Sequence, residues 1–154
     1  MALKILVPVD FSTGAEQALQ LATSLARDHQ GELVLLHVEE PPMVYGAGDM
    51  YYGIAEPNRE ELLTMLKKVS IDDSRMIVQR HLVVGLPATA IVEFAANNAI
   101  DYIVMPTHGR TGLRRLLMGS VAEEVVRKAP CPVVTVSPKA AKPSEVKEPS
   151  PSHT

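Results

Sequence analysis

Five short apolar runs, separated by stretches with helical spacing, constrain the fold more than any other feature of this chain. The runs are KILVPV (4–9), ELVLLHV (32–38), IVQRHLVV (77–84), YIVMP (102–106) and PVVTV (132–136). Three of them are nearly continuous in Val, Ile and Leu, which is typical of strands covered on both faces of a parallel sheet. A strand and a helix alternate four times, and a strand closes the series. This order predicts an α/β domain with a parallel sheet.

The four stretches between these runs have apolar residues at spacings of three and four, the period of an amphipathic helix. Two of them begin with a capping-box pattern, Thr13-x-x-Glu16 in the first and Ser120-x-x-Glu123 in the fourth. Pro87 suits the first turn of the third helix. The apolar positions are Ala15, Ala18, Leu19, Ala22, Leu25 and Ala26, then Leu62, Leu63, Leu66 and Val69, then Ala90, Ile91, Phe94 and Ala95, and finally Val121, Val125 and Val126.

Charge and composition limit the classes of function. The net charge of -3 and the isoelectric point near 5.9 argue against nucleic-acid binding, which needs a basic face. No apolar run approaches the roughly 18 to 20 residues that cross a bilayer, so we expect no membrane partner. The start, MALKILVPVDFS, is poor material for a signal peptide, and the single cysteine, Cys131, suits a reducing compartment. These features predict a cytoplasmic protein.

The chain divides into a predicted domain at 1–137 and a predicted disordered tail at 138–154. The tail is rich in Pro, Ser, Lys and Glu and has almost no large apolar residue, so it cannot bury enough surface to become ordered. Residues 39–58, EEPPMVYGAGDMYYGIAEPN, form a long predicted loop. A loop of this length in a compact domain indicates a lid, a partner surface or disorder.

The residues that are best placed to contact a ligand follow the ends of the predicted strands. The first strand is followed by Asp10, Phe11 and Ser12, the second ends with Val38 and Glu39, and the fourth leads into Pro106, Thr107, His108 and Gly109. Open α/β sheets bind ligands at the carboxyl ends of their strands, where the strand order reverses. If the first and fourth strands are neighbours, these residues face one crevice.

The stretch MPTHGRTGLRRLLMGSVAEE (105–124) is basic in an acidic chain and leads to a helix start near Gly119 and Ser120. A helix N-terminus attracts anions, and glycines allow close approach of backbone to a phosphate. The N-terminus contributes only about 0.3 to 1 kcal/mol for an anion, whereas micromolar affinity needs about 8 kcal/mol. A nucleotide, whose base also packs against protein, therefore fits better than bare phosphate.

A plainer interpretation of the same stretch stays open on these grounds alone. Glycines between a strand and a helix are often simple turn residues, and the arginines at 110, 114 and 115 fit a solvated surface. The Walker pattern is absent, because no lysine precedes Ser120.

No catalytic arrangement is evident in the sequence. His37, His81 and His108 lack metal-ligand spacing; we expect structural or surface roles for the first two, whereas His108 could face phosphates. Cys131 is expected to be a packed structural residue. Asp10 is the only well-placed acid, and one carboxylate at a strand end is thin support for hydrolysis. Any turnover of ATP is expected to be slow.

The segments VPVDFS, LLHV and THGRTGLRRLLMGSVAEEVVRKAPCPVVTV, in this order, resemble the universal stress protein family over about Lys4 to Val136. The resemblance implies a Rossmann-like five-stranded parallel sheet ordered 3-2-1-4-5, with two helices on each face. It also implies homodimers that pair through the last strand, Val133–Val136. The ATP-binding branch of the family has the motif G-x2-G-x9-G-[S/T]. Gly109, Gly119 and Ser120 match it here, but Pro106 replaces the first glycine.

By this resemblance, Asp10 and Val38 contact the base or sugar, and Gly109, Gly119, Ser120 and the amides of Val121 and Ala122 hold phosphates. ATP would bring Mg²⁺ or Mn²⁺, held mostly by its phosphates. The implied function is an ATP-binding stress-response regulator or sensor and not an enzyme. The alternatives are a dimeric interaction module that lost nucleotide binding through Pro106 and, third, a slow nucleotide hydrolase. The full candidate nucleotide-binding set is Pro8, Val9, Asp10, Val38, Met105, Pro106, His108, Gly109, Arg110, Gly119, Ser120, Val121 and Ala122.

Overall fold

The computed structural model describes residues 2–41, 58–108 and 118–137. In this part of the chain five strands alternate with four helices, as the apolar patterning predicts. Each strand boundary lies within one residue of its prediction. The elements are β1 Lys4–Pro8, α1 Thr13–Asp28, β2 Glu32–Glu39, α2 Arg59–Lys68, β3 Val78–Val84, α3 Pro87–Asn97, β4 Tyr102–Pro106, α4 Ser120–Lys128 and β5 Val133–Val136.

The strands form one parallel sheet in the order β3-β2-β1-β4-β5, which confirms the predicted fold. The chain first builds outward from β1 through β2 to β3 and then crosses back to β4 and β5. The strand order therefore reverses between β1 and β4. This is the switch point at which open α/β sheets bind ligands.

Two apolar layers hold the helices against opposite faces of the sheet. Alternate residues of a strand point to opposite faces, so Leu6 packs with α3 and α4 whereas its neighbours in β1 pack with α1 and α2. Small residues of α1 let that helix approach β1 and β4 closely. The fully buried positions of this second layer include Ile5, Val7, Ala18, Ala22, Ala26, Leu33, Leu35 and Val104.

Both predicted capping boxes are wrong by one residue. The N-cap of α1 is Ser12 and that of α4 is Gly119, and neither makes a side-chain capping hydrogen bond. The Ser12 hydroxyl donates to Asp10 Oδ1 instead. In α2 the Asn58 side chain does cap the helix, accepting a hydrogen bond of 3.0 Å from the Glu61 amide. Pro87 is the first residue of α3, as predicted.

Three predictions fall wholly or largely outside the described residues. They concern the loop at 39–58, of which only both ends are described, the disordered tail at 138–154, and the site residues Gly109 and Arg110. The last strand, β5, ends at Val136.

Candidate functional site

The candidate site lies at the carboxyl edge of the sheet, where β1 and β4 part. The two strands are in register at Ile5 with Tyr102 and at Leu6 with Ile103. Beyond these pairs β1 follows β2 as far as Pro8, and β4 follows β5 as far as Pro106. In open α/β sheets, strands that part in this way leave a crevice between their ends. The predicted neighbour relation of the first and fourth strands is confirmed.

A tight turn at the end of β1 forms one wall of this crevice. One carboxylate oxygen of Asp10, Oδ1, accepts hydrogen bonds from the Ser12 amide at 3.0 Å and from the Ser12 hydroxyl at 2.5 Å. Phe11, between them, has a φ of 62°. This is the left-handed region, which bulky residues rarely adopt. Asp10 is thus held in a defined orientation at the strand end.

A contact between β1 and β2 supports this turn. The Val9 carbonyl accepts a hydrogen bond of 2.6 Å from His37 Nδ1, which therefore carries the proton. The His37 ring lies against the Phe11 ring, with centroids 4.6 Å apart. The sequence predicted only a structural or surface role for His37, and it predicted that Phe11 faces the crevice without indicating the contact between the two rings. The period of two in β2, which places His37 beside the β1 end, is the signal that could have found the pair.

The other wall is formed by the end of β4 and the start of α4. Thr107 is 4% exposed, and its amide donates to the Val136 carbonyl at 3.0 Å. Its carbonyl accepts a hydrogen bond of 2.6 Å from the Gly119 amide, and its hydroxyl lies 3.1 Å from His108 Nδ1. The first turn of α4 is therefore fastened directly to the end of β4.

Gly119 is required at this point by close packing. A Cβ atom there would lie 3.2 Å from the Thr107 carbonyl oxygen and 3.7 Å from His108 Cα. The φ of Gly119 is −71°, which any residue adopts, so space and not backbone conformation favours glycine.

The first turn of α4 offers backbone donors toward the crevice. The first intrahelical bond runs from the Glu123 amide to the Gly119 carbonyl at 3.0 Å. The amides of Ser120, Val121 and Ala122 come before it and have no carbonyl four residues back within the helix. They point along the helix axis toward the end of β4, with the positive end of the helix dipole. This is the chemistry that attracts a phosphate.

Pro106 lies at the floor of the crevice, as the last residue of β4, opposite Val136 of β5. The amides of Ile103 and Thr107 donate toward β5. Because alternate strand residues direct their N–H groups to opposite neighbours, the Pro106 nitrogen faces β1. A proline therefore breaks no bond of the β4–β5 ladder. Its ring lies on the α1 side, where a Cβ on Gly14 would come within 3.5 Å of it.

The structure thus brings most of the predicted set to one edge of the sheet. Val38 lies on β2 beside β1, with its side chain partly buried against the α3 and α4 layer. The members at the carboxyl edge are Pro8, Val9, Asp10, Val38, Met105, Pro106, His108, Gly119, Ser120, Val121 and Ala122.

Among the described residues no three His, Cys, Asp or Glu side chains gather as they would around a metal ion. None of the described helices has the length and apolarity to span a bilayer.

Two titratable groups with shifted pKa values lie apart from this site. Hydrogen bonds from the Arg27 side chain and the Arg75 backbone lower the pKa of Asp73, beside an open cleft of about 580 Å³ at the amino edge of the sheet. Burial, with a smaller effect of Asp101, raises the pKa of Cys131. Cys131 packs beside the α3 and α4 layer, in keeping with a structural role.

The sheet order and the helix N-terminus beside its switch point define a doubly wound α/β protein, a class in which ligands bind at the carboxyl edge of the sheet. Residues 1–137 match the model of the universal stress protein family. The chain belongs to this family.

Two relatives from Methanocaldococcus jannaschii cover most of the chain. Universal stress protein MJ0531 is 36% identical over 137 residues, which is 86% of this chain and 81% of that protein. Universal stress protein MJ0577 is 33% identical over 154 aligned positions, covering 88% of this chain and 95% of that protein.

Solved structures have the same fold. The structure of MJ0577 matches with a TM-score of 0.68 at 31% identity and covers 92% of this chain and 99% of that one. A universal stress protein from Archaeoglobus fulgidus, solved in complex with dAMP, matches with a TM-score of 0.59 at 24% identity, over 88% of this chain and 97% of that one. The second likeness is one of fold.

Proposed function

We propose that this universal stress protein binds an adenine nucleotide, ATP in the first place, in the crevice between β1 and β4. The phosphates would lie on the amides of Ser120, Val121 and Ala122, and the nucleoside would lie toward Asp10 and Val38. Gly109 and Arg110, which lie outside the described residues, belong to the same proposed set on sequence grounds.

One observation carries this proposal. The Gly119 amide is bonded to the Thr107 carbonyl, in contact so close that a side chain at Gly119 would crowd it. The dipole of α4 and the amides of its first turn would thereby be directed at the crevice in which Asp10 is proposed to contact the nucleoside. A phosphate at one end and a nucleoside at the other would fit such a site. That the fold accommodates dAMP in the A. fulgidus protein is consistent with this reading.

Binding, and not turnover, is the proposed activity. Asp10 is already occupied through one oxygen by Ser12. A general base needs to reach a positioned water or substrate proton, and this carboxylate lies at the nucleoside end, away from the phosphates. We therefore propose a regulator or sensor that holds ATP, with Mg²⁺ or Mn²⁺ carried by the phosphates. Its proposed place is the cytoplasm, on the basis of its single cysteine.

The protein is also proposed to form homodimers through β5. This strand ends the sheet, and all four of its residues are partly exposed. An apolar edge strand with free N–H and C=O groups is a template for another strand. Pairing with the same strand of a second copy would cover it.

The test is calorimetric titration of nucleotide-stripped protein with ATP and Mg²⁺, after any nucleotide retained in purification has been identified by mass. The matched variants are Ser120→Pro and Ser120→Ala. Ser120 is the first helical residue, where proline is favoured and the helix stays intact. The proline removes one phosphate donor amide, whereas the alanine removes only the hydroxyl.

We expect saturable binding in the wild type, at least tenfold weaker binding in Ser120→Pro, and a smaller loss in Ser120→Ala. Absence of binding by folded, stripped wild-type protein would refute the proposal. Equal affinities in all three proteins would refute the assignment of the phosphates to α4.

A second candidate function is a dimeric interaction module without nucleotide. The position of Pro106 favours it, because the missing N–H faces the floor of the crevice where the family motif has glycine. This candidate predicts no binding of ATP by the wild type but binding by Pro106→Gly.

A further inference from the structure

Phe11 has a backbone conformation that is unusual for a bulky residue at the start of a helix. Among the described residues, three other than glycine have positive φ: Phe11 at 62°, Gln30 at 52° and Ala99 at 52°. Gln30 and Ala99 lie two residues beyond the last residues of α1 and α3. Helices commonly end with a left-handed residue at that position. Phe11 instead lies two residues before α1, at the candidate site, and bulky residues with positive φ tend to mark functional sites.

Two sets of contacts hold Phe11 in this conformation. On the polar side, Asp10 Oδ1 accepts from the Ser12 amide and hydroxyl, which closes a turn with Phe11 at its centre. On the apolar side, the Phe11 ring lies on the His37 ring, and His37 is fixed in turn by its bond to the Val9 carbonyl. The turn is thus supported from the neighbouring strand.

The same turn decides which oxygen of Asp10 remains for a ligand. Oδ1 is used by Ser12, whereas Oδ2 has no hydrogen-bond partner in the described part of the chain. A carboxylate oxygen only accepts hydrogen bonds. On an adenine nucleoside the donors are the ribose hydroxyls and the 6-amino group, so Oδ2 can bind the nucleoside but not the phosphates.

We propose that Phe11 and His37 are the positioning residues of the nucleoside half of the site. The His37 ring keeps Phe11 left-handed, and the left-handed turn directs Asp10 Oδ2 at the nucleoside. This inference rests on the proposed nucleotide binding and deepens it. Phe11 and His37 would determine how tightly a nucleoside is bound and would leave the phosphate contacts of α4 unchanged.

The first test compares Phe11→Ala with Phe11→Gly. Both variants lack the ring, but only glycine adopts positive φ without steric penalty. If the backbone conformation matters, Phe11→Ala binds ATP at least tenfold more weakly than the wild type, and Phe11→Gly recovers about fivefold of that loss. If the ring acts only by packing, glycine is no better than alanine, and that order would overturn the proposal.

The second test compares His37→Leu with His81→Leu. His81 makes a similar contact with Phe94, with ring centroids 5.0 Å apart, on β3 and away from the crevice. We expect at least tenfold weaker ATP binding in His37→Leu and wild-type binding in His81→Leu. NMR measures the change in each amide chemical shift on addition of saturating ATP. In His37→Leu this change should persist at Ala122 and should disappear at Ser12.

Every outcome bears on the inference. Equal ATP affinities of His37→Leu and His81→Leu would overturn it. It would also be overturned if the ATP-induced chemical-shift change disappeared at both Ala122 and Ser12 in His37→Leu. Thermal melting of each variant identifies one that fails to fold, and the Phe11 pair then decides alone. Absence of ATP binding by the wild type would overturn the proposed function first and this inference with it, and it is recognised without any variant.

Discussion

Replacing Gly119 with alanine tests the close contact on which the proposed phosphate site depends. The added Cβ would lie 3.2 Å from the Thr107 carbonyl oxygen, so one partner must move by a few tenths of an ångström. Thr107 is poorly placed to yield, because its amide is bonded to Val136 of β5. We expect the start of α4 to shift outward instead.

The size of the effect follows from this geometry. Mild overpacking destabilises a protein by about 1 kcal/mol at the low end of its range, and alanine is a poorer N-cap than glycine by a further fraction of that. The free energy of unfolding should therefore fall by about 1 to 2 kcal/mol, which lowers the melting temperature by roughly 3 to 8 °C. A shift of the three amides that weakens phosphate binding by about 1.4 kcal/mol raises the Kd for ATP tenfold.

The assay is urea unfolding together with ATP titration, with Gly31→Ala as the matched control. A Cβ on Gly31 would clash with the backbone of Leu3 at the opposite edge of the sheet. This control should lose at least as much stability and leave the Kd for ATP unchanged. If both variants bind ATP equally well, the contact of Gly119 with Thr107 has no part in binding. If Gly119→Ala is as stable as the wild type, the argument from crowding is wrong.

Three further predictions concern separate parts of the molecule. Pro106→Gly should lower the free energy of unfolding by about 1 to 2 kcal/mol, because it removes a packed ring and raises the conformational entropy of the unfolded chain. Under the nucleotide proposal, calorimetry should show the Kd for ATP changing by less than about tenfold. Binding of ATP by the variant but not by the wild type would favour the interaction module. Thr135→Pro should give a monomer in analytical ultracentrifugation with an unchanged circular dichroism spectrum, because the Val136 carbonyl faces β4 and alternation directs the Thr135 N–H outward. The control Thr135→Val keeps that N–H and should stay dimeric. A dimeric proline variant would contradict pairing through β5. Because Asp73 has a lowered pKa in the folded protein, its contribution to the free energy of unfolding is complete above its unfolded pKa and is lost as the pH falls through the lower folded value. Asp73→Asn should therefore make the free energy of unfolding less dependent on pH below about pH 4. Identical acid-unfolding curves for both proteins would exclude this contribution.

The fold could be predicted from the sequence because its determinants are local and repetitive. Each buried strand is a run of branched apolar residues, and each helix has its own period. The alternation of the two leaves few topologies once crossovers are right-handed. The strand order itself came from the resemblance, since no residue of β1 alone indicates that β4, distant in the chain, pairs with it.

Helix starts were harder to predict because the same side chains have competing partners. Ser12 and Thr13 both suit an N-cap, and the sequence pattern favoured Thr13 through Glu16. In the structure Ser12 occupies the N-cap position while its hydroxyl bonds to Asp10. At α4 the fit of Gly119 against Thr107 determines the start, and Ser120 becomes the first helical residue. Tertiary packing decides between two locally acceptable caps.

The two walls of the crevice differ in how far sequence could reveal them, and the reason is the range of the contacts. The wall proposed to hold phosphates combines the end of β4 with the start of α4, which lie in one stretch of sequence at 105–124, so its glycines and its helix start are visible there. The wall proposed to hold the nucleoside depends on His37, which meets Phe11 and Val9 only because β1 and β2 pair in one register. A histidine in an apolar strand is ordinary in isolation. The contacts that His37 makes with Val9 and Phe11 become evident only in the structure, where β1 ends in a left-handed turn beside it.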